Sequence, residues 1–400
     1  MAALSVADAL VRILDGAVPT AGEPVALDAA LGRVLASDVT AKLTQPPFTA
    51  SAMDGYAVRA SDVAKLPATL QVAGESAAGA GHHKAIAAGE AVRILTGAPL
   101  PPGADAIVIQ ENTERAGLRL TVREGVPEAE HIRAAGGDFR AGDRVLGAGM
   151  VLSGRALMLA AAGGYANLPV RRKPRVAILA SGDELVPPGE KPGRDHIVSS
   201  NPVGLAALVR TFGGEPVLLG IAPDNLAETI AHMKRAHEAD ILVTTGGASV
   251  GDHDLVRPAL EALGMTLDFW KLAMRPGKPM LFGRLGAQRV LGLPGNPVSA
   301  LITARVFLVP LILAMLGRSE EDEAVWAEAG ADLEANGPRQ HYMRARLERG
   351  AGGAASVTPL PNQDSSLLMP LVAANALLIR GPHAPAAAKG TSVPVLQIDF

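Results

Sequence analysis

Residues 241–254 read ILVTTGGASVGDHD, and the fold turns on how the first half of that run meets the second. Ile241, Leu242 and Val243 are a short apolar, β-branched-rich run of the kind that forms a strand covered on both faces. Thr244, Thr245, Gly246 and Gly247 then break it. Two adjacent glycines let backbone N–H groups approach an anion closely, and the hydroxyls add donors for phosphate or oxyanion oxygens. Asp252 and Asp254 follow immediately. Carboxylates beside an anion-cradling loop repel its ligand unless a divalent cation bridges the two, a pairing that hints at Mg²⁺. A glycine turn followed by solvated, helix-capping acids accounts for the same residues, so this stretch alone leaves both readings open.

Around it, residues 173–318 alternate strand and helix in the manner of a doubly wound α/β sheet. The patterns predict strands over Arg175–Ala180, Pro216–Ile221, Ile241–Val243 and Val290–Leu293, and helices over Pro202–Thr211 and Asn225–His237. Ligands of such sheets bind at the carboxyl ends of the strands. Ser181, Gly182, Asp183 and Glu184 follow the first strand, and Pro223 and Asp224 the second. Lys271, Arg275, Gly277 and Lys278 form a basic cluster in WKLAMRPGKP. The last strand runs into Pro294, Gly295, Asn296 and Pro297, a sharp turn with Asn296 as cap and Pro297 at the first helical position. A helix start of that kind attracts phosphate. Each piece has a plain structural explanation; five such loops on one sheet edge are harder to explain that way.

Pro297–Leu316 has the length of a membrane span. Arg305 near its middle would cost about 2.5–3.5 kcal/mol at a bilayer centre, and Pro310 interrupts the hydrogen-bond ladder. A helix buried against the sheet is the expected outcome, and no membrane association is expected.

From Val25 to Arg172 the pattern changes to short alternating runs with many turn residues. Thr69–Ala73, Ala91–Thr96, Ala106–Gln110 and Leu118–Val122 read as strands of a mostly β segment near 50–135, inserted into a piece with helices at Leu27–Leu35 and Leu152–Ala162. Two motifs stand out. Residues 51–59, SAMDGYAVR, set Asp54 beside a glycine, a tyrosine able to stack and Arg59. Residues 93–105, RILTGAPLPPGAD, put Thr96 where a strand ends and a proline-stiffened loop begins. Ser5 and Asp8 form a capping-box pattern ahead of Leu10, Ile13 and Leu14, with Gly16 ending that helix.

Composition bounds the rest. The 400 residues, 48% of them hydrophobic, suffice for several cores, roughly two to four domains. A formal net charge of -3 with interspersed signs gives no basic stripe for nucleic acid and no polybasic anchor. No cysteine is present, which excludes disulfides, thiolate metal sites and cysteine nucleophiles and suits a cytoplasmic protein. His82 and His83 fall in a glycine-rich loop and read as surface residues.

Taken in order, SAMDGYAVR, LTGAPLPPGAD, SGDEL, TTGGASVGDHD, MRPGKP and LPGNPVSA resemble the molybdopterin molybdenumtransferase family, which includes the E domain of gephyrin. The resemblance runs through nearly the whole chain. It implies an elongated helical domain (1–49 and 136–172), an inserted mostly-β domain (50–135), a molybdopterin-binding doubly wound α/β domain (173–318) and a C-terminal β-barrel (319–400). It further implies a homodimer whose site lies between the α/β domain of one subunit and the inserted domain of its partner. The implied reaction inserts molybdate into adenylylated molybdopterin with release of AMP, and hand-over from a molybdopterin adenylyltransferase is implied with it.

On that reading, Glu184, Asp224, Asp252 and Asp254 would organise Mg²⁺ and a water, with Asp54 and Thr96 reaching in from the partner. Lys271, Arg275 and Lys278 would hold molybdate and the pterin phosphate. Ser181, Gly182, Asp183, Thr245, Gly246, Gly247, Ser249 and the turn Pro294, Gly295, Asn296, Pro297 would cradle the ligand. In the last segment, Arg344 and Ser365 match the family's basic and small-polar positions. There are departures. Ser181 stands where threonine is common, Arg275 where lysine is common, Asp252 where glutamate is frequent, and NQDSS replaces a glycine-containing stretch. Arg presents a planar fork where Lys presents a point charge. A non-catalytic scaffold on the same fold, a tungstate-inserting relative and a molybdopterin adenylyltransferase are the alternatives; the last is a single α/β domain and leaves 1–170 and 319–400 unexplained.

Overall fold

The computed structural model describes residues 3–127, 129–246, 255–318, 324–350 and 355–398. The chain divides into two compact units, Met1–Glu23 with Arg171–Phe400, and Pro24–Val170.

The larger unit is built on a six-stranded sheet in the order Glu215–Ala222, Arg175–Ser181, Ile241–Thr245, Gln288–Leu293, Leu281–Leu285, Thr266–Trp270. The first four strands are parallel, and Leu281–Leu285 runs antiparallel to both of its neighbours. The central strands each carry an apolar run because both faces are covered, as Ile178, Leu179, Leu242, Val243, Val290 and Leu291 show by their complete burial. On one face Ala177, Leu179, Leu242 and Val290 pack with Met233, Val256 and Leu260. The register pairs Ser181 with Ala222, Ala180 with Thr245, and Thr245 with Leu293, so the four parallel strands end along one line.

The long apolar helix is Pro297–Thr303, a π-helical turn Ala304–Leu308, then Val309–Met315. Pro310 removes a ladder bond, and the π turn lies directly upstream of it. Within Pro297–Met315, 78% of the most apolar window is buried in the unit, and Arg305 lies under the Phe212 ring at 5.3 Å. This is a core helix, as expected.

The N-terminal helix Val6–Leu14 starts at Ser5, whose Oγ accepts the Asp8 N–H at 3.1 Å. Its far end is closed by the buried Arg289, whose guanidinium donates to the carbonyls of Ile13 (2.7 Å) and Asp15 (2.8 Å). A cation there also complements the helix dipole. Arg289→Ala is expected to lower unfolding free energy by roughly 2 kcal/mol, measured by urea titration, with the slope of the transition unchanged.

In the C-terminal region, Gln340–Arg349, Ala355–Pro359, Val325–Ala329, Ser392–Gln397 and Ala376–Arg380 pair successively, and the last pairs back with the first. The result is a closed five-stranded barrel, which leaves no free edge. The short strand Met274–Arg275 is added alongside Gln340–His341 and joins barrel to sheet. The acidic run at 319–323, SEEDE, lies outside the described residues.

The smaller unit carries a second six-stranded sheet, Ala106–Ile109, Gly55–Val58, Glu90–Ile94, Ala68–Ser76, Arg119–Val122, Thr113–Ala116, close to the strands expected from alternation. The flanking segments hold the helix Gly154–Ala162, capped by Ser153, and short paired strands around Leu35, Val39, Leu146, Leu152 and Leu168. Leu27–Leu35 is not the helix that its spacing predicts. Only Leu27–Ala29 forms a 3-10 turn, and Gly32, at φ +73°, turns the chain so that Val34 and Leu35 bridge to Val151 and Val170.

Candidate functional site

The carboxyl edge of the large sheet gathers the loops read from sequence. After strand Arg175–Ser181 the chain turns at Gly182, φ +145°, where an added Cβ would lie 2.7 Å from Glu184 Cδ. The Glu184 carboxylate is therefore folded back over the turn and exposed to solvent. Asp183 and Asp224 close the neighbouring strand ends on each other: Asp224 N–H donates to Asp183 Oδ1 at 3.0 Å and Asp183 N–H to Asp224 Oδ2 at 3.4 Å. At Gly246, φ +83°, a Cβ would sit 2.6 Å from the Ser181 carbonyl oxygen, so only glycine lets the two strand ends touch. Gly247, Ser249, Asp252 and Asp254 lie outside the described residues.

Gly182, Asp183 and Pro223 line one cavity at this edge, of 500 Å³, and two others share Gly295 and Asn296. The first of these two, 420 Å³, is lined by Ser181, Glu184, Thr245, Gly246, Asn201 and Pro297 among others. Asn201 holds its wall by donating to the Gly295 carbonyl at 2.7 Å. The second, 650 Å³, is lined by Arg275, Lys278, Pro294, Ser299, Arg339, His341, Asp364 and Ser365. It is a basic compartment, since three cations face one carboxylate. Asn296 takes the cap position of the long helix, but its side-chain amide donates to Ser365 Oγ at 2.9 Å and makes no cap bond. The Val298 N–H donates to the Ser365 carbonyl at 3.1 Å, so the Ser365 loop is fastened to the helix start at two points.

Asp224 closes a strand end without lining either of these two cavities, and Lys271 and Arg344 lie elsewhere. Lys271 does not line the basic cavity; its backbone has φ +95°, and its ammonium lies 4.9 Å from the Trp270 ring centre. Arg344 is 1% exposed and donates to the carbonyls of Asn362 and Leu367, both at 3.2 Å. Gln363 brackets the same residue, accepting the Arg344 N–H and donating to its carbonyl. Arg344 therefore orders the loop that carries Ser365. Sequence reading missed Arg339, His341 and Asn201. Asn201-Pro202 repeats the Asn296-Pro297 pattern at a helix start, and that repeat could have pointed to Asn201; nothing local marks Arg339, which reaches the cavity only because the barrel strand runs beside Arg275.

Within the smaller unit, Gly55 pairs with Ile94, which brings the residue before one strand against the residues after the other. Asp54 Oδ1 accepts the Thr96 N–H at 2.7 Å and the Thr96 Oγ1–H at 2.8 Å. The Thr96 backbone bond, then its hydroxyl, hold the Asp54 carboxyl below the usual range. Tyr56 is not a stacking platform for a ligand: it is buried, with the Arg93 guanidinium over its ring at 5.2 Å.

For a divalent cation, the described residues contain no group of three or more His, Asp or Glu placed to hold one. The exposed carboxylates of Glu184 and Asp224 fit the hard-oxygen preference of Mg²⁺, which binds through one or two carboxylates and completes its shell with substrate phosphate and water.

Comparison with known proteins gives a consistent result. Residues 4–164 match the family described as MoeA N-terminal region (domain I and II), 177–314 the probable molybdopterin binding domain, and 327–398 the MoeA C-terminal region (domain IV). A molybdopterin molybdenumtransferase from a Nostoc species is 37% identical, covering 94% of this chain and 88% of its own length. That from Bacillus subtilis is 34% identical over 94% and 90%. The crystal structure of a molybdopterin biosynthesis moeA protein from Pyrococcus horikoshii superposes with a TM-score of 0.87 at 28% identity, covering 99% of each chain.

Proposed function

The chain belongs to the molybdopterin molybdenumtransferase family and is a transferase of molybdenum cofactor biosynthesis, and from this premise we propose that it joins molybdate to adenylylated molybdopterin with Mg²⁺-dependent release of AMP. The observation that carries the reading is the shared wall of Gly295 and Asn296. A cavity edged by Glu184 and floored by backbone groups adjoins one lined by Arg275, Lys278 and Arg339, so a phosphate-bearing pterin and a tetrahedral oxyanion can lie side by side.

In this proposal the three cations neutralise the oxyanion in a walled compartment, where fixed charges act more strongly than in water. Ser365 and Ser299 donate to its oxygens, and the Ser181–Gly246 contact presents backbone groups to the phosphates. Glu184 orients the water that attacks the phosphoanhydride and accepts its proton. Glu184 and Asp224 would hold Mg²⁺, joined by Asp252 or Asp254; when bound it shields phosphate charge. Asp54 and Thr96 act from a second copy of the chain in a homodimer, pre-ordered by their mutual hydrogen bonds. The protein works in the cytoplasm on small anionic substrates and receives adenylylated molybdopterin from an adenylyltransferase.

The test is AMP release from adenylylated molybdopterin. With molybdate and Mg²⁺ it is expected to proceed, and to fall to background when EDTA removes the metal. Tungstate in place of molybdate reads oxyanion choice. A folded chain that releases no AMP with all components present would leave only the scaffold role.

A further inference from the structure

His341 stands at the boundary between the basic cavity and a neighbouring one of 490 Å³ at the mouth of the barrel, and lines both. Its backbone pairs with Arg275 on one side and Arg380 on the other. Although the residue is only 8% exposed, no hydrogen bond to its ring is formed among the described residues, and what remains exposed opens onto the two cavities. An imidazole that spends neither nitrogen on the protein and opens onto a cavity has both available to a ligand.

The charges around it set its state. Burial first, then Arg275, Arg339 and Arg344, push the imidazole down to about 4, so it is neutral in the empty cavity at physiological pH. Facing it from the other elements are Arg380 on the adjacent barrel strand, Lys278 and Asp364 across the basic cavity, and Asp332 and Glu334 in the neighbouring one. Asp364, held low by the Ser366 N–H and hydroxyl, stays charged. Arg275, Lys278 and Arg339 against Asp364 leave two positive charges, which a dianion cancels. The repulsive part of what keeps the imidazole neutral is then relieved, and the anion offers its N–H an acceptor that offsets the burial.

Resting on the oxyanion reading of this cavity, we propose that His341 is its proton acceptor: an entering tetrahedral dianion brings a solvent proton onto the imidazole, so binding tightens as pH falls. The proton becomes an additional N–H donor toward the anion, and release of the oxyanion returns it to solvent. Binding and protonation are linked reciprocally.

Calorimetric titration of the full chain with sodium molybdate, and separately with sodium sulfate, between about pH 6 and pH 8 in two buffers of different ionisation enthalpy measures the protons taken up. Wild type is expected to take up a fraction rising toward one proton per anion as pH falls, with affinity improving by up to about tenfold per pH unit. His341→Gln is expected to bind with no uptake and a flat pH profile. Anion binding without proton uptake in wild type, or uptake retained in H341Q, overturns the assignment while leaving the oxyanion cavity intact. No binding of either anion overturns the cavity reading itself. Should H341Q fold poorly, the wild-type imidazole proton resonances decide: a shift to the charged form on adding molybdate is expected, and its absence overturns the assignment.

Discussion

Glu184→Ala is expected to lower AMP release at least ~100-fold, with oligomeric state and unfolding temperature unchanged. The carboxylate is exposed and no structural hydrogen bond to it is formed among the described residues, so its removal disturbs chemistry and not packing. Gly182→Ala provides a second route to the same loss. The added methyl would lie 2.7 Å from Glu184 Cδ at a backbone with φ +145°, so the carboxylate must swing away from its place over the turn. Equal deficits in G182A and E184A would locate the function in the carboxylate's position; wild-type turnover in E184A would remove it from the site. The proposed contribution of a second subunit is tested in the same assay. Asp54→Ala and Glu184→Ala chains, each inactive, are expected to recover activity when unfolded together and reassembled, because a mixed dimer retains one intact site. No recovery would place both residues in a single chain's site or outside catalysis.

The second large effect is on stability. Arg344→Met is expected to cost roughly 3 kcal/mol or more, because the Asn362 and Leu367 carbonyls lose a charged donor in a buried setting. The loop carrying Ser365 and Gln363 would loosen, so affinity for molybdate should fall alongside the midpoint of thermal unfolding. Loss of affinity with an unchanged midpoint would instead mean that the guanidinium touches the anion.

The four parallel strands of the α/β sheet were legible because each contains a short apolar run with its own stop signal, and the register then places Ser181, Thr245 and Leu293 on one line; the antiparallel pair Leu281–Leu285 and Thr266–Trp270 was not read. The Pro297–Met315 helix was legible from Arg305 and Pro310. Leu27–Leu35 was misread because apolar spacing cannot reveal that Gly32 takes a left-handed backbone and that Leu35 finds a strand partner some 135 residues on, at Val170. At the sheet edge, the positions of Glu184, Asp224 and the Pro294–Pro297 turn could be read because loops at strand ends announce themselves. Lys271 and Arg344 could not be placed, since a basic side chain looks the same in sequence whether it lies on a tryptophan, beneath a loop or in a cavity. Arg339 and His341 were invisible for a different reason: the long-range pairing of Met274–Arg275 with Gln340–His341 brings them beside Arg275.

That pairing has a wider meaning. Along Gln340–Arg349 the side chains alternate, with Met343, Ala345 and Leu347 turned to the barrel interior and Arg344 beneath the outer loop, while His341 and the preceding Arg339 line the basic cavity. The terminal module thus supplies Arg339, His341, Asp364 and Ser365 to a cavity whose other polar residues, Arg275, Lys278 and Ser299 among them, come from outside it. On the proposed reading of that cavity, transplanting the module from a relative is expected to alter the taste for one metal oxide over another while the rest of the chain keeps its own cations.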